Sequence, residues 1–588
     1  MKTLFPGKDA ALQDTIERFQ DQLTAHGFNL ANIDNAAWHN PIPNVWSVQI
    51  QDANAPMNVT MGKGTSQDAA LASALGKLIE RLATNDFYAN RYLGEAIATG
   101  EFVHYPNEKW FPIDLEENLP PEGILDERLT QFYDPTLELL GTDLIDLQSS
   151  NMARGICTLP FERQDDSEIV NMPVNIIGNL YISNGIAAGN SKSEARNHAL
   201  CEIIERHIKN RILAKQTRLP AIPESVLSRF TSINESIDAL EAHGFDIQGY
   251  DASLGGKYPV VCVTLSHQGS NIHLASFAAH TNIELALERA VTELVQGHNV
   301  DELKALLDPS TVDEAGNEHF TPESLLAEST GLIASAQLES ESATEFADWS
   351  FGGNSEEQFN HLVGLLHAEG ADVYIADYDH LGVDCCRIIV PGWSEVAPVD
   401  DLIEANNNVA LELREVLLAL PAVEWDEEQF AEMFHIVEEE FDDDALLHRV
   451  LGLEALSGDA WQTLRVGELK CLIALAGGDL ELALDFAKWS VAFNASMYSA
   501  ERMNFFRCLI DSLQLAIEEE QDPADCKADF ESRFGSETVA AAWGSIEGSV
   551  QFYGLNAGNL TMMSQFPAHQ QLLQSYHKLQ AAKKAKYC

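Results

Sequence analysis

From Asn184 to Ser191 the chain reads Asn-Gly-Ile-Ala-Ala-Gly-Asn-Ser, and a helical segment follows at once. At 3.6 residues per turn, Glu194, His198, Glu202 and Glu205 fall at roughly 0°, 40°, 80° and 20° around that helix. One narrow stripe therefore carries three carboxylates and an imidazole behind a loop of small residues. Like charges at i,i+4 spacing destabilise a helix by about 0.2–0.5 kcal/mol each. Any fold that uses this helix must bring something cationic to the stripe or leave it in water. Hard divalent cations favour oxygen ligands, and Mg²⁺ commonly takes one or two carboxylates and completes its shell with waters and phosphate oxygens. A solvated helix face is the plain alternative.

Two further segments weigh against that alternative. Gly62-Lys63-Gly64-Thr65-Ser66 leads into a helical run from Ala69 to Arg81, and a third helix is expected from Ile283 to Gly297, with Glu288, Arg289 and Glu293. Each of the three carries a Glu-Arg step: Glu80-Arg81, Glu205-Arg206 and Glu288-Arg289. A helix N-terminus behind a glycine loop offers free N–H groups to a phosphate, and arginine adds forked donors. Lys63 is followed by Gly64 rather than Ser or Thr, so no Walker A motif is present, and no G-x-G-x-x-G stands between a strand and a helix. H-E-x-x-H and G-x-S-x-G are also missing, which leaves a zinc hydrolase or a serine nucleophile without support. His198 can touch a ligand, orient a carboxylate or serve structure alone.

With these segments the chain resembles the YcaO family, whose three signatures appear here in order: Gly-Lys-Gly before Ser-Ala and Glu80-Arg81; Asn-Gly-x-Ala-Ala-Gly-Asn before Glu-Ala and Glu202-x-x-Glu205-Arg206; and Glu288-Arg289-x-x-x-Glu293. The likeness extends through Phe5 to Leu12, Asn107 to Pro112 and Ile375 to Tyr378, and so covers essentially the whole chain. It implies a YcaO-type ATP-binding domain with ATP and Mg²⁺ as cofactors. The implied chemistry is phosphorylation of a peptide amide or related carbonyl oxygen. The branch resembled implies an accessory role in β-methylthiolation of the twelfth small-subunit ribosomal protein. That protein and a radical methylthiotransferase are then the expected partners, and a homodimer is expected.

The resemblance also implies a site. Lys8, Thr15, Arg18, Asn190, His198, Arg206 and Arg289 would bind ATP, with Ala187 beside them, and Glu80, Glu194, Glu202, Glu205 and Glu293 would hold metal. Asp9 is a candidate N-cap for a helix starting near Ala10, leaving Lys8 to face a phosphate. Two positions depart from the family pattern: Lys77 stands where a second carboxylate is usual, and Ala187 where a serine is common. They motivate a competing reading, a non-catalytic assembly factor that docks partners through its C-terminal part. The end, Lys583 to Cys588, lacks the proline-rich tail common in azoline-forming members.

At 588 residues the chain should form two to four domains. Its net charge of −55 repels phosphates at long range, which excludes a nonspecific nucleic-acid or anionic-membrane binder and favours a basic partner. A nucleotide would need a locally compensated pocket. Nine cysteines without a C-x-x-C pair fit reduced thiols rather than a disulfide framework or a zinc site. The N-terminus lacks an apolar signal core and no run of 18 apolar residues occurs, so a soluble, cytoplasmic protein is expected.

The fold class expected is α+β. Residues 1–422 mix helices with strands such as Val45–Ile50, Tyr258–Leu265 and Cys386–Val390. Beyond Leu420-Pro421 the β signal fades, and 423–588 reads as an all-helical, tetratricopeptide-like interaction domain. Its clearest element is a helical hairpin turning at Gly477-Gly478-Asp479, and Cys508-Leu509-Ile510 echoes Cys471-Leu472-Ile473. The acidic stretch from Val423 to Asp444 reads as a solvated helix face.

Overall fold

A computed structural model describes residues 4–30, 38–267, 270, 272–308, 330–334, 345–558, 563 and 565–588. Met1 to Thr3, part of the N-terminus read above, lie outside the described residues.

Three strand-turn-helix units organise the first part of the chain. In the first, an antiparallel three-stranded sheet (Trp38–Ile42, Val45–Asp52, Ala55–Gly64) feeds helix Gln67–Ala83, and the Ser66 hydroxyl accepts the Ala69 N–H as N-cap. In the second, strand Ile186–Gly189 feeds helix Lys192–Ala214, capped in the same way by Ser191. That strand forms one edge of a six-stranded antiparallel sheet, beside Asp384–Ile389 and then Tyr374–Tyr378. In the third, strand Ile272–Ala279 of a four-stranded sheet feeds helix Ile283–Val295, capped by Asn282.

The units grip one another in a ring. Helix Gln67–Ala83 packs on strand Ile186–Gly189, helix Lys192–Ala214 on strand Ile272–Ala279, and helix Ile283–Val295 on strand Ala55–Gly64. Close approach within a unit requires glycine: a Cβ on Gly62 would lie 2.2 Å from the carbonyl oxygen of Ala70, and one on Gly189 would lie 2.5 Å from the Ala195 nitrogen. Mixed sheets and helices are therefore present as expected. The strands at Val45–Asp52, Val260–His267 and Asp384–Ile389 extend or shift their expected bounds by a few residues.

After Ile389 the described residues contain helices and turns but no strand. Helices Val466–Ala476, Leu480–Asn494, Ala500–Ile517 and Ser536–Ile546 each pack on the next, around Leu469, Leu472, Ala483, Phe505 and Leu509. The acidic helix Glu427–Glu440 turns Phe430, Phe434 and Val437 into this second core and leaves most of its carboxylates outside.

The last helix, Pro567–Tyr587, departs from that pattern. Its Leu572, Tyr576, Leu579 and Ala582 complete the core of the first unit, with Phe19, Val48, Leu75, Ile79 and Tyr88. Buried Lys583 donates to Asn85 Oδ1 at 2.6 Å and to the His104 carbonyl at 2.9 Å. All nine cysteines are free, seven of them buried. No helix among the described residues is long and apolar enough to cross a membrane.

Candidate functional site

The ring encloses a cavity of about 510 Å³, within the range of small-ligand sites. Its wall takes Lys63, Lys77, Glu80 and Arg81 from the first unit, Asn190, Glu194, His198, Glu202, Glu205 and Arg206 from the second, and Glu288, Arg289 and Glu293 from the third. The N-terminal segment adds Lys8 and Thr15. Every site residue expected from sequence lines it except Arg18, which stands behind the wall: one guanidinium nitrogen donates to the Asn190 carbonyl at 3.1 Å and another to that of Gly382 at 2.9 Å.

The N-terminal segment is tied to the start of helix Lys192–Ala214 by side chains rather than by a helix cap. Helix Leu12–Ala25 has Ala11 at its N-cap position and no side-chain cap bond, which corrects the expectation for Asp9. The Asp9 carboxylate instead accepts from the hydroxyls of Ser191 and, at 2.7 Å, Ser355. The Asp9 N–H donates to Glu194 Oε2 at 3.0 Å. These tertiary bonds deliver Lys8 to the stripe, where its ammonium lies 3.1 Å from Glu194 Oε1 and 2.8 Å from His198 Nε2.

Burial first, then Lys8, Arg289 and His280, hold His198 well below its ordinary value, so the ring is neutral. The backbone carbonyl of Ala188 takes its other N–H, leaving Nε2 as acceptor for Lys8. Asn190 Nδ2 donates to both oxygens of Glu194 at 3.2 Å, and its Oδ1 accepts the Thr15 hydroxyl at 3.1 Å. Glu194 thus has donors on both oxygens.

Deeper in the cavity the acidic stripe meets its compensation. Arg206 pairs with Glu202 at 2.9 Å, Glu205 accepts the Ala279 N–H at 2.8 Å, and Lys63 pairs with Glu293. Arg289 donates to the Ala279 carbonyl at 3.2 Å. Six acidic side chains (Glu80, Glu194, Glu202, Glu205, Glu288, Glu293) and six basic ones (Lys8, Lys63, Lys77, Arg81, Arg206, Arg289) thus line one cavity. In a chain of net charge −55 this is the local balance a polyanion needs.

Glu80 is pushed up to about 8, by burial first and then by the Glu202 carboxylate, against the pull of Lys77 and Arg81. A divalent cation would relieve both causes. Glu80, Glu202, Glu205 and Glu293 line the cavity with the oxygen donors that a hard cation such as Mg²⁺ takes, and among the described residues no three of their oxygens lie within 4.8 Å of one another, so such an ion would draw on one or two of them and complete its shell with water and phosphate. A separate group of metal-type ligands, His104, Asp146 and Cys157, is fully buried among the described residues. There Asp146 is engaged by His104 at 3.2 Å and by the N–H and hydroxyl of Ser149.

Sequence reasoning missed the part played by Lys63, Glu288 and His280. Lys63 was legible in part: Gly62 and Gly64 face their own helix, so alternation along the strand sends Lys63 to the opposite side, where Glu293 meets it. Glu288 accepts the Ser232 hydroxyl at 2.9 Å, and His280 Nδ1 accepts the Asn282 N–H at 3.0 Å. Both depend on long-range or turn geometry without a local pattern.

Comparison with known proteins adds a lineage. The YcaO cyclodehydratase model, described as ATP- and Mg²⁺-binding, matches residues 61–394, and the YcaO cyclodehydratase C-terminal domain matches 410–585. The ribosomal protein S12 methylthiotransferase accessory factor YcaO of Escherichia coli K12 is 49% identical over 585 residues, 99% of each chain. An uncharacterised Haemophilus influenzae protein is 47% identical over the same length. Among solved structures, a YcaO protein from Methanopyrus kandleri bound with AMPPCP and Mg²⁺ is similar over 68% of this chain and 94% of its own, with 16% identity and a TM-score of 0.42. A heterocyclase in complex with substrate and cofactor covers 68% of this chain and 56% of its own, with 16% identity and a TM-score of 0.45.

Proposed function

This chain belongs to the YcaO family, and from that premise we propose that its cavity binds ATP and Mg²⁺ to activate a peptide amide or related carbonyl oxygen by phosphorylation. The proposed setting is β-methylthiolation of ribosomal protein S12, as accessory factor to a radical methylthiotransferase, in keeping with the name of the Escherichia coli relative. The observation that carries the reading is the convergence of paired carboxylates and cations from three separate helices on one enclosed volume.

In this reading Glu80, Glu202, Glu205 and Glu293 hold Mg²⁺, with Glu194 beside them as the anchor of Lys8. Bound Mg²⁺ would neutralise charge on the phosphate oxygens during transfer. Arg206 and Arg289 orient those oxygens through forked donors. Asn190, held by Thr15 and Arg18, positions the nucleotide, and neutral His198 keeps Lys8 aimed inward. The helical region after residue 423, apart from the last helix that fills the first core, supplies docking surface for partners, and a homodimer forms through it. Lys77 in the cavity and the missing hydroxyl at Ala187 favour a second reading, a nucleotide-binding assembly factor without turnover.

A nonhydrolysable ATP analogue with Mg²⁺ should raise the melting temperature of the full chain. Ligand at a hundred times its Kd adds about 2.7 kcal/mol to native stability. Glu202→Gln should remove most of the rise, and an unchanged rise would place the metal elsewhere. ATP turnover with and without Mg²⁺ then separates the enzyme from the assembly factor.

A further inference from the structure

Two ammonium groups enter the cavity from one unit, Lys63 near the end of strand Ala55–Gly64 and Lys77 from helix Gln67–Ala83. Lys63 pairs with Glu293 of the third unit. Lys77 lies one turn before Glu80 and feels both Glu80 and Glu202, yet among the described residues it forms no ion pair or hydrogen bond with either. Lys63, Arg81 and Arg289 are also within reach of its charge.

The surroundings work against the Lys77 charge: burial lowers it, with Glu80 and Glu202 pulling the other way. A desolvated ammonium without an ion pair beside a second one costs the empty fold stability. The cost is offset once a polyanion lies between them.

We propose that Lys77, backed by Lys63, is a direct cationic contact for the phosphate chain, so that part of this chain's nucleotide affinity is independent of Mg²⁺. The inference rests on reading the cavity as a nucleotide site. An ammonium is a compact charge with three rotatable donors and needs no carboxylate to recruit it. Its place one turn from Glu80 lets one helix face offer a fixed cation and a metal ligand side by side.

Calorimetric titration of the full chain with a nonhydrolysable ATP analogue, in excess Mg²⁺ and separately in EDTA, tests this. Wild type should bind under both conditions. Lys77→Met, similar in length and without charge, should lose metal-free affinity about tenfold or more, as expected for a charge-assisted contact. The same variant should melt higher than wild type without ligand. Lys77→Arg should keep metal-free affinity within a few-fold, and Lys77→Glu should bind only with Mg²⁺. Equal affinities of wild type and Lys77→Met in EDTA would overturn the inference, as would wild-type binding seen only with Mg²⁺. Wild type that binds under neither condition would overturn the nucleotide reading itself.

Discussion

Removing helix Pro567–Tyr587 should damage the first core, not the helical region that precedes it in sequence. Leu572, Tyr576 and Leu579 are at most 1% exposed there. Full burial of such side chains is worth about 1.5–3 kcal/mol each, so the three together contribute roughly 5–9 kcal/mol. The Tyr576 hydroxyl donates to the Val103 carbonyl at 2.5 Å, and Asn58 Nδ2 donates to the Ser575 hydroxyl at 3.0 Å, each worth about 1 kcal/mol net. Domain stability is only about 5–15 kcal/mol. A chain ending at residue 566, or at 422, should therefore bind a hydrophobic dye and aggregate in size-exclusion chromatography with light scattering. In the full chain Leu579→Ala should cost about 2–5 kcal/mol in denaturant. A monodisperse 1–566 chain that melts within a degree or two of the full chain would refute the assignment of this helix to the first core.

Three other outcomes are expected. Glu395, which accepts the Tyr133 and Tyr181 hydroxyls at 3.1 and 3.4 Å, is pushed up to about 7 chiefly by burial. A carboxyl raised in the native state adds stability that is fully present below its unfolded pKa of about 4.5 and is lost as pH rises through about 7, up to about 3 kcal/mol. Glu395→Gln should flatten the melting temperature across that window, and an unchanged profile would count against it. Arg502→Met strands Glu468, 0% exposed, without its ion-pair partner and should cost about 3–5 kcal/mol in urea, with much of the loss recovered by adding Glu468→Gln. Arg289→Ala should weaken binding of the ATP analogue about tenfold or more by calorimetry; unchanged affinity would remove Arg289 from the phosphate contacts.

How much of this was legible before folding depended on whether the cause was local. Helix period alone put Glu194, His198, Glu202 and Glu205 on one face, and Ser66, Ser191 and Asn282 stand at their caps because a hydroxyl or amide there takes orphan N–H groups. Asp9 misled because cap chemistry and tertiary hydrogen bonding draw on the same residue type, and two distant serines won. Lys63 turned inward because Gly62 and Gly64 bring a strand against its own helix, a contact that spacing implies only weakly. Nor could the pattern of residues 567–587 show which core the last helix would join, since Leu572, Tyr576 and Leu579 suit any apolar groove.

The ring of units also has a consequence in time. Each helix finds its second support on a strand from another unit, the ring closes only with residues 283–295, and the first helix gains its last apolar cover from residues 567–587. On a growing chain the carboxylates of the first two helices would wait, without Arg289, until the third helix emerges. Contacts so far apart in sequence are slow to close. The cavity should thus be among the late features of folding, and amide protection of all three helices should appear together rather than in order of synthesis.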